Sequence, residues 1–265
     1  MKIIEQVKYI LFEIKNPISF RIKYLLEKVI KMPVLIIRNK FQFNINIPYL
    51  FNNDYIIENC NWKWLNKAKT DYDYTINPYI EKELELYFKS NWIFLDIWAH
   101  IWKWSIFVAR WCKKVYSFEP NPITYSYLKR NIELNNLNNK ILSLNNGIWN
   151  KKSELSFLID ENETSKSKFT KDWWIKIEVL SIDDFIKEQN ININEIDLIK
   201  IDTEWFEFNV FKWMSNFLKK TNNVNIICEI LDNQIDKNEI FNFLESFWFK
   251  YKKLETPADY LFYKE

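Results

Sequence analysis

A chain of 265 residues with one glycine has few places for a tight turn of positive φ, because glycine adopts that conformation without steric cost. An average globular chain carries about 7% glycine, roughly 19 residues at this length. The shortage is matched by an excess, 13 Trp. Several of these tryptophans stand where backbone geometry asks for glycine. The clearest stretch is Asp96-Ile97-Trp98-Ala99-His100-Ile101-Trp102, which follows the apolar run Ile93-Phe94-Leu95 and precedes a helical pattern from Trp104 to Ala109. With glycine at 98 and 102 it becomes D-I-G-A-H-I-G, a strand–turn–helix loop suited to a nucleotide. A UGA codon reassigned to glycine but decoded as tryptophan accounts for the shortage and the excess together. The Asn/Ile/Lys-rich composition suits an AT-rich genome, where such reassignment occurs. The other reading is an aromatic-rich protein that never had those turns.

Charge and cysteine usage narrow the function classes. Net charge is +2, so no broad electrostatic surface for nucleic acid is expected. Cys60, Cys112 and Cys228 are far apart and form no CxxC, which argues against a disulfide framework or a zinc site and fits a reducing, cytoplasmic compartment. His100 is the only histidine, which argues against a His-based triad and a multi-His metal site; no metal is expected. No apolar run approaches the ~20 residues of a membrane span. The first forty residues read as basic amphipathic helix, with Ile3, Ile4, Val7, Ile10, Leu11 and Ile14 at helical spacing. An accessory helical pair packed on the domain or a partner is the simpler role; peripheral membrane contact is the other.

Residues 41–77 are mixed, and from Pro78 the pattern becomes regular. Ile93–Asp96, Val115–Phe118, Ile141–Leu144, Leu155–Ile159, Ile196–Asp202 and Val224–Ile230 read as strands. Residues 78–87, 103–111, 122–135, 206–219 and 237–247 read as helices, Ser181-Ile182-Asp183-Asp184 as a capping box, and 160–172 as a loop or lid. Ile175–Leu180 alternates, and the runs 249–254 and 260–263 suit a closing antiparallel hairpin. Strands alternating with helices imply an α/β fold, a mostly parallel doubly wound sheet whose ligand crevice lies at the carboxyl ends of the strands. The expected division is a helical or mixed accessory region, 1–77, and a domain, 78–265.

That rule selects the residues to inspect. Asp96 can accept from turn amides or meet a cationic ligand. Glu119, at the end of Val115-Tyr116-Ser117-Phe118, suits bidentate bonding to a ribose diol. Asp202, Glu204 and Glu229 follow or end later strands; Asp202 and Glu204 can act on a substrate hydroxyl or cap the next helix. Glu207 reads as helix surface.

Four segments in order carry a resemblance. FLDIWAHIWKWSIF, VYSFEPNP, LKRNIELNN and LIKIDTEWFEFNVFKW resemble the D-x-G-A-x-x-G loop, the F-E-P-N segment, the helix after it and the I-D-x-E-G-x-E-x-x-x-L-x-G segment of the FkbM family of S-adenosylmethionine-dependent methyltransferases. The similarity runs from about 78 to 265. It implies a Rossmann-like class I methyltransferase fold and S-adenosylmethionine as cofactor. Asp96, Trp98, Ala99, His100 and Trp102 would hold its methionine portion. Glu119 with Asn121 would hold the ribose, and Asn145, Asn146 and Gly147 would border the adenine. His100 can face the substrate or brace the loop, and an imidazole titrates near pH ~6.5. Asp202 and Glu204 would orient or deprotonate an acceptor hydroxyl, that of a saccharide or glycoconjugate. Trp98, Trp102, Trp205 and Trp213 fall where the family has glycine. Trp149 and Trp248 fall at further glycine-like turns, Trp111 at an expected C′ position, and Trp92 in a turn. Trp104 falls where the family has aromatics and is expected to be a true tryptophan. Two other readings remain: a catalytically silent binding module if the tryptophans are real, and a nucleotide-sugar or dinucleotide oxidoreductase.

Overall fold

The structure, a computed structural model, describes residues 49–51, 55–57, 87, 92–101, 103–109, 111–160, 167–171, 174–203, 206–231, 237–254 and 258–264. The expected accessory helices in 1–40, most of the helix from Pro78, and Trp102, Glu204 and Trp205 lie outside the described residues. Two short strands, β1 (Tyr49–Phe51) and β2 (Tyr55–Ile57), pair antiparallel.

The main sheet begins with β3 (Ile93–Ile97), whose five residues are all buried. A run with no polar alternation is what a parallel strand covered on both faces requires. Helix α1 (Lys103–Val108) leads to β4 (Lys114–Phe118), and α2 (Pro122–Leu134) to β5 (Ile141–Leu144). Asn121 caps α2 by accepting from the Ile123 N–H, and Pro122 fills the first turn, where no N–H is missed.

The chain then leaves the main sheet. Strands β6 (Gly147–Ile148), β7 (Ser153–Leu158), β8 (Lys168–Phe169) and β9 (Ile175–Leu180) form a second sheet in the order β6-β9-β7-β8. The 160–172 stretch expected as a loop thus contributes β8.

Helix α3 (Ile182–Glu188) opens with the expected capping box: Ser181 Oγ accepts from the Asp184 N–H. A 3-10 turn (Ile193–Glu195) leads back to the main sheet through β10 (Ile196–Ile201). The helix expected over 206–219 is two, α4 (Glu207–Trp213) and α5 (Ser215–Lys220), separated at Met214. Then come β11 (Asn225–Glu229), α6 (Lys237–Glu245), β12 (Lys250–Lys253) and β13 (Asp259–Tyr263).

The main sheet has the order β12-β13-β11-β10-β3-β4-β5. β11, β10, β3, β4 and β5 run parallel, while β13 lies antiparallel to both β11 and β12. This is the expected Rossmann-like sheet with its antiparallel close. The chain builds outward from β3 to β5, then returns to add β10 on the other side. The strand order therefore reverses between β3 and β10, and the crevice opens there. Phe94, Leu95, Ile199, Ile226 and Phe211 are among the buried residues of the core. Among the described residues no helix is long and apolar enough to cross a membrane.

Candidate active site

Asp96 and Lys200 are opposite one another in the parallel register of β3 and β10, at the reversal point. Ser117 on β4 is the next partner of Asp96. Ser105 Oγ, from α1, donates to Asp96 Oδ2 at 2.5 Å and lies 2.6 Å from Ser117 Oγ. Both serines are buried, so this chain fixes a buried carboxylate under the 98–101 loop. The sequence reading did not single out either serine.

The loop itself is held by backbone. The N–H groups of Trp98 and Ala99 both donate to the Phe118 carbonyl at 2.9 Å. Trp98 has φ 70° and His100 φ 55°, the left-handed region. Expected as a position for glycine, Trp98 takes glycine's conformation. Its ring lies 6.0 Å from that of Phe157 and 5.8 Å from that of Phe169, so it packs on the second sheet. Trp149 joins the same ring cluster, 5.5 Å from Phe169 and 4.2 Å from Trp213.

Glu119 stands at the carboxyl end of β4. Its Oε2 accepts from the His100 N–H and its Oε1 from the Asn121 N–H, both at 2.8 Å. The carboxyl is 1% exposed. Burial pushes its pKa up to about 8 against the two amide bonds, with the charge of Asp96 adding to the rise. Asn121 is buried and donates to Ser167 Oγ at 3.1 Å, which ties the second sheet to this edge. Asn145 Nδ2 donates to the carbonyls of Glu119 and Pro120, and Asn146 Nδ2 to Glu178 O. Gly147, the one glycine, is tight: a Cβ there would meet Phe169 Cζ at 2.4 Å.

A second cluster gathers across the reversal point. Lys200 Nζ is 3.1 Å from Asp202 Oδ2, 3.7 Å from Asp259 Oδ1, and 5.7 Å from the centre of the Trp104 ring. Burial pulls the lysine's pKa down, yet Asp202, Asp259 and Glu229 outweigh it, so it stays charged well above its usual range. The charge of Asp202, then burial, pushes Glu229 up to about 9. Asp202 thus pairs with Lys200. Glu207 is not helix surface: it is buried, and Oε1 accepts from the Thr203 N–H at 3.0 Å and from Thr203 Oγ1 at 2.9 Å. Thr203 Oγ1 in turn accepts from the Phe206 N–H, so the helix start is braced by Thr203 and Glu207.

The glycine-like tryptophans divide. Trp98 and Trp248 have φ 70°; Trp92, Trp111, Trp149 and Trp213 do not have positive φ. Trp111 was expected at C′, but its N–H and that of Cys112 both return to the Val108 carbonyl, so no left-handed cap forms there. Trp104 is buried against Phe94, as expected of a true tryptophan.

The structure therefore brings Asp96, Trp98, Ala99, His100, Glu119, Asn121 and Asn145 together at the ends of β3, β4 and β5, and Asp202 with Glu229 at the ends of β10 and β11. Among curated proteins none matches the chain. Among solved structures it is similar to a methyltransferase FkbM from Methylobacillus flagellatus KT (15% identity, TM-score 0.48), covering 66% of this chain and 44% of that one. It is also similar to a methyltransferase from Pyrococcus furiosus (14%, TM-score 0.45, 88% and 98%). A third is M. jannaschii TYW2 in complex with AdoMet (15%, TM-score 0.41, 82% and 83%). The chain thus spans less than half the length of the first of these structures. The family model of the methyltransferase FkbM domain matches residues 96–251. That span is more than half of the chain and holds the Asp96 loop, Glu119 and Asp202, and on it the chain belongs to the FkbM methyltransferase family.

Proposed function

We propose that this chain is an O-methyltransferase that uses S-adenosylmethionine and acts on a hydroxyl of a saccharide or glycoconjugate. The observation that carries the reading is Glu119, set at the end of β4 and bridging the N–H groups of His100 and Asn121. The donor set fits such a cofactor: a carboxyl group for a diol at Glu119, a second acid at Asp96 for a cationic group, and polar side chains at Asn121, Asn145 and Asn146. Ala99 and Trp98 supply backbone to the same loop, and Gly147 its close approach; Trp102 completes the loop by family resemblance. S-adenosylmethionine supplies an electrophilic methyl group when bound.

The rest falls to this chain's residues. Asp202 receives the acceptor's hydroxyl proton as the new O–C bond forms and the S–C bond breaks. Lys200 holds Asp202 in place and ionised. Glu229 keeps one proton on the pair at neutral pH, so two carboxylates sit together without full repulsion. Most of the rate comes from holding oxygen, methyl carbon and sulfur in line, because an alkoxide is hard to form at neutral pH. Glu204 stands as a further contact on resemblance alone. The acceptor class rests on the family.

We assign residues 78–265 to the methyltransferase domain and 1–77 to an accessory region whose basic amphipathic pattern suits a peripheral membrane surface. The partner is a small molecule or glycan, not nucleic acid, and the compartment cytoplasmic, in keeping with free, buried Cys112 and Cys228.

Calorimetric titration with S-adenosylmethionine tests the reading. Binding that Glu119→Ala weakens at least tenfold supports it. The silent-module reading is favoured by the Trp98 ring packed on the second sheet. It predicts no binding either by the chain or by the variant that carries both Trp98→Gly and Trp102→Gly.

A further inference from the structure

We infer that residues 98 and 248 are glycines in the protein its own cell makes, from a codon that cell reads as glycine. The argument is backbone geometry and does not depend on the proposed activity.

Helix α6 ends in a complete Schellman motif. The Phe249 N–H donates to Leu244 O at 3.2 Å and the Trp248 N–H to Glu245 O at 2.9 Å. Leu244 and Phe249, the apolar pair of the motif, are both buried. The C′ residue between them is Trp248, with φ 70° and a side chain 86% exposed. A left-handed C′ position is the place of glycine, or else of asparagine.

The same chain shows what it does elsewhere. Helix α2 ends with the Asn136 N–H on Glu133 O and the Leu137 N–H on Ile132 O, and α3 with the Asn190 N–H on Lys187 O and the Ile191 N–H on Ile186 O. Their C′ residues are Asn136 at φ 56° and Asn190 at φ 51°. Three identical caps thus carry asparagine, asparagine and tryptophan. An indole that is nearly all exposed makes no packing that offsets the left-handed backbone, so nothing at 248 asks for it.

Trp98 repeats the case at the other end of the domain. Its φ is 70°, and its N–H and that of Ala99 share one carbonyl, Phe118 O. A residue without Cβ makes that turn freely. Glycine there also removes the ring that lies on Phe157 and Phe169 beside the Asp96 loop. Trp104 is the contrast: its φ is not positive, its ring is buried, and it packs on Phe94 and Lys200. Tryptophan at 104 has a structural use; at 98 and 248 the backbone is one that glycine adopts freely and a side chain with a Cβ does not.

Tandem mass spectrometry of peptides from the protein purified from its own cells decides the matter. Glycine at 98 and 248 with tryptophan at 104 is expected; tryptophan at 98 or 248 overturns the inference. A second measurement tests the geometry directly. In the chain as written, Trp248→Gly is expected to raise the melting temperature by ~2–4 °C, and Trp104→Gly to lower it. An unchanged or lower value for Trp248→Gly overturns the argument from the cap.

Discussion

The backbone N–H of His100 reaches Glu119 Oε2 at 2.8 Å, so a carboxyl group at the end of β4 clamps the loop that follows β3. The other oxygen holds Asn121, the residue that starts α2. One side chain thus fixes two consecutive turns of the crevice.

That clamp has a pH signature. The folded pKa of Glu119 is raised, to about 8 from 4.5, so the folded state holds a proton that the unfolded chain releases. The contribution of Glu119 to stability is full below about pH 4.5 and is lost as pH rises toward 8. Glu229, raised to about 9, acts in the same direction. Glu119→Gln is expected to flatten part of that decline, by a few kcal/mol across the window. Urea unfolding at pH 5, 7 and 9 checks it; an unchanged slope sinks the assignment.

Lys200 pairs with Asp202 and Asp259 and faces Glu229 as well. Lys200→Met keeps the stem's volume and leaves Asp202, Asp259 and Glu229 without their cation. It should cost about 3–5 kcal/mol of stability, as breaking a buried pair does. Denaturant midpoints read the loss, and a cost under about 1 kcal/mol contradicts it.

Glu229→Gln mimics the protonated state of its partnership with Asp202. Methyl transfer at pH 7 should fall by no more than a few-fold, whereas Asp202→Asn should lose about a hundredfold or more, in the range of a general base. Rate profiles up to pH 10 check this, since a change near pH 9 should vanish in Glu229→Gln. Equal losses from the two substitutions count against Asp202 as the base.

Gly147→Ala places a methyl 2.4 Å from Phe169 Cζ. Phe169 has little room to yield, ringed by Trp98, Trp149, Phe157 and Phe206. Overpacking of this kind costs about 1–3 kcal/mol. Phe169→Leu in the same chain should recover part of it, and thermal melts of the single and double variants show whether the two couple.

The alternation of strands and helices was legible because buried parallel strands are mostly apolar, as Ile93–Ile97 is apart from Asp96 and Ile196–Ile201 is apart from Asp197 and Lys200. The second sheet was not. Ser153–Leu158 and Ile175–Leu180 read as strands, but periodicity does not say which sheet a strand joins. Glu119 and Asp202 were legible from their places at strand ends. Lys200 was missed because a lysine inside I-D-L-I-K-I looks like an exception to an apolar run; three acids at neighbouring strand ends were the available signal. Glu207 misled because a first-turn acid is usually solvated, and its partner Thr203, four residues earlier, was the clue.

Because β13 lies between β12 and β11, the sheet closes out of synthesis order. While a ribosome has made only the residues before 259, β11 presents a bare edge beside a finished parallel core. Such an edge invites pairing with another nascent chain. A truncation that removes Asp259–Tyr263 therefore leaves the apolar β11 as the open edge in place of lysine-rich β12.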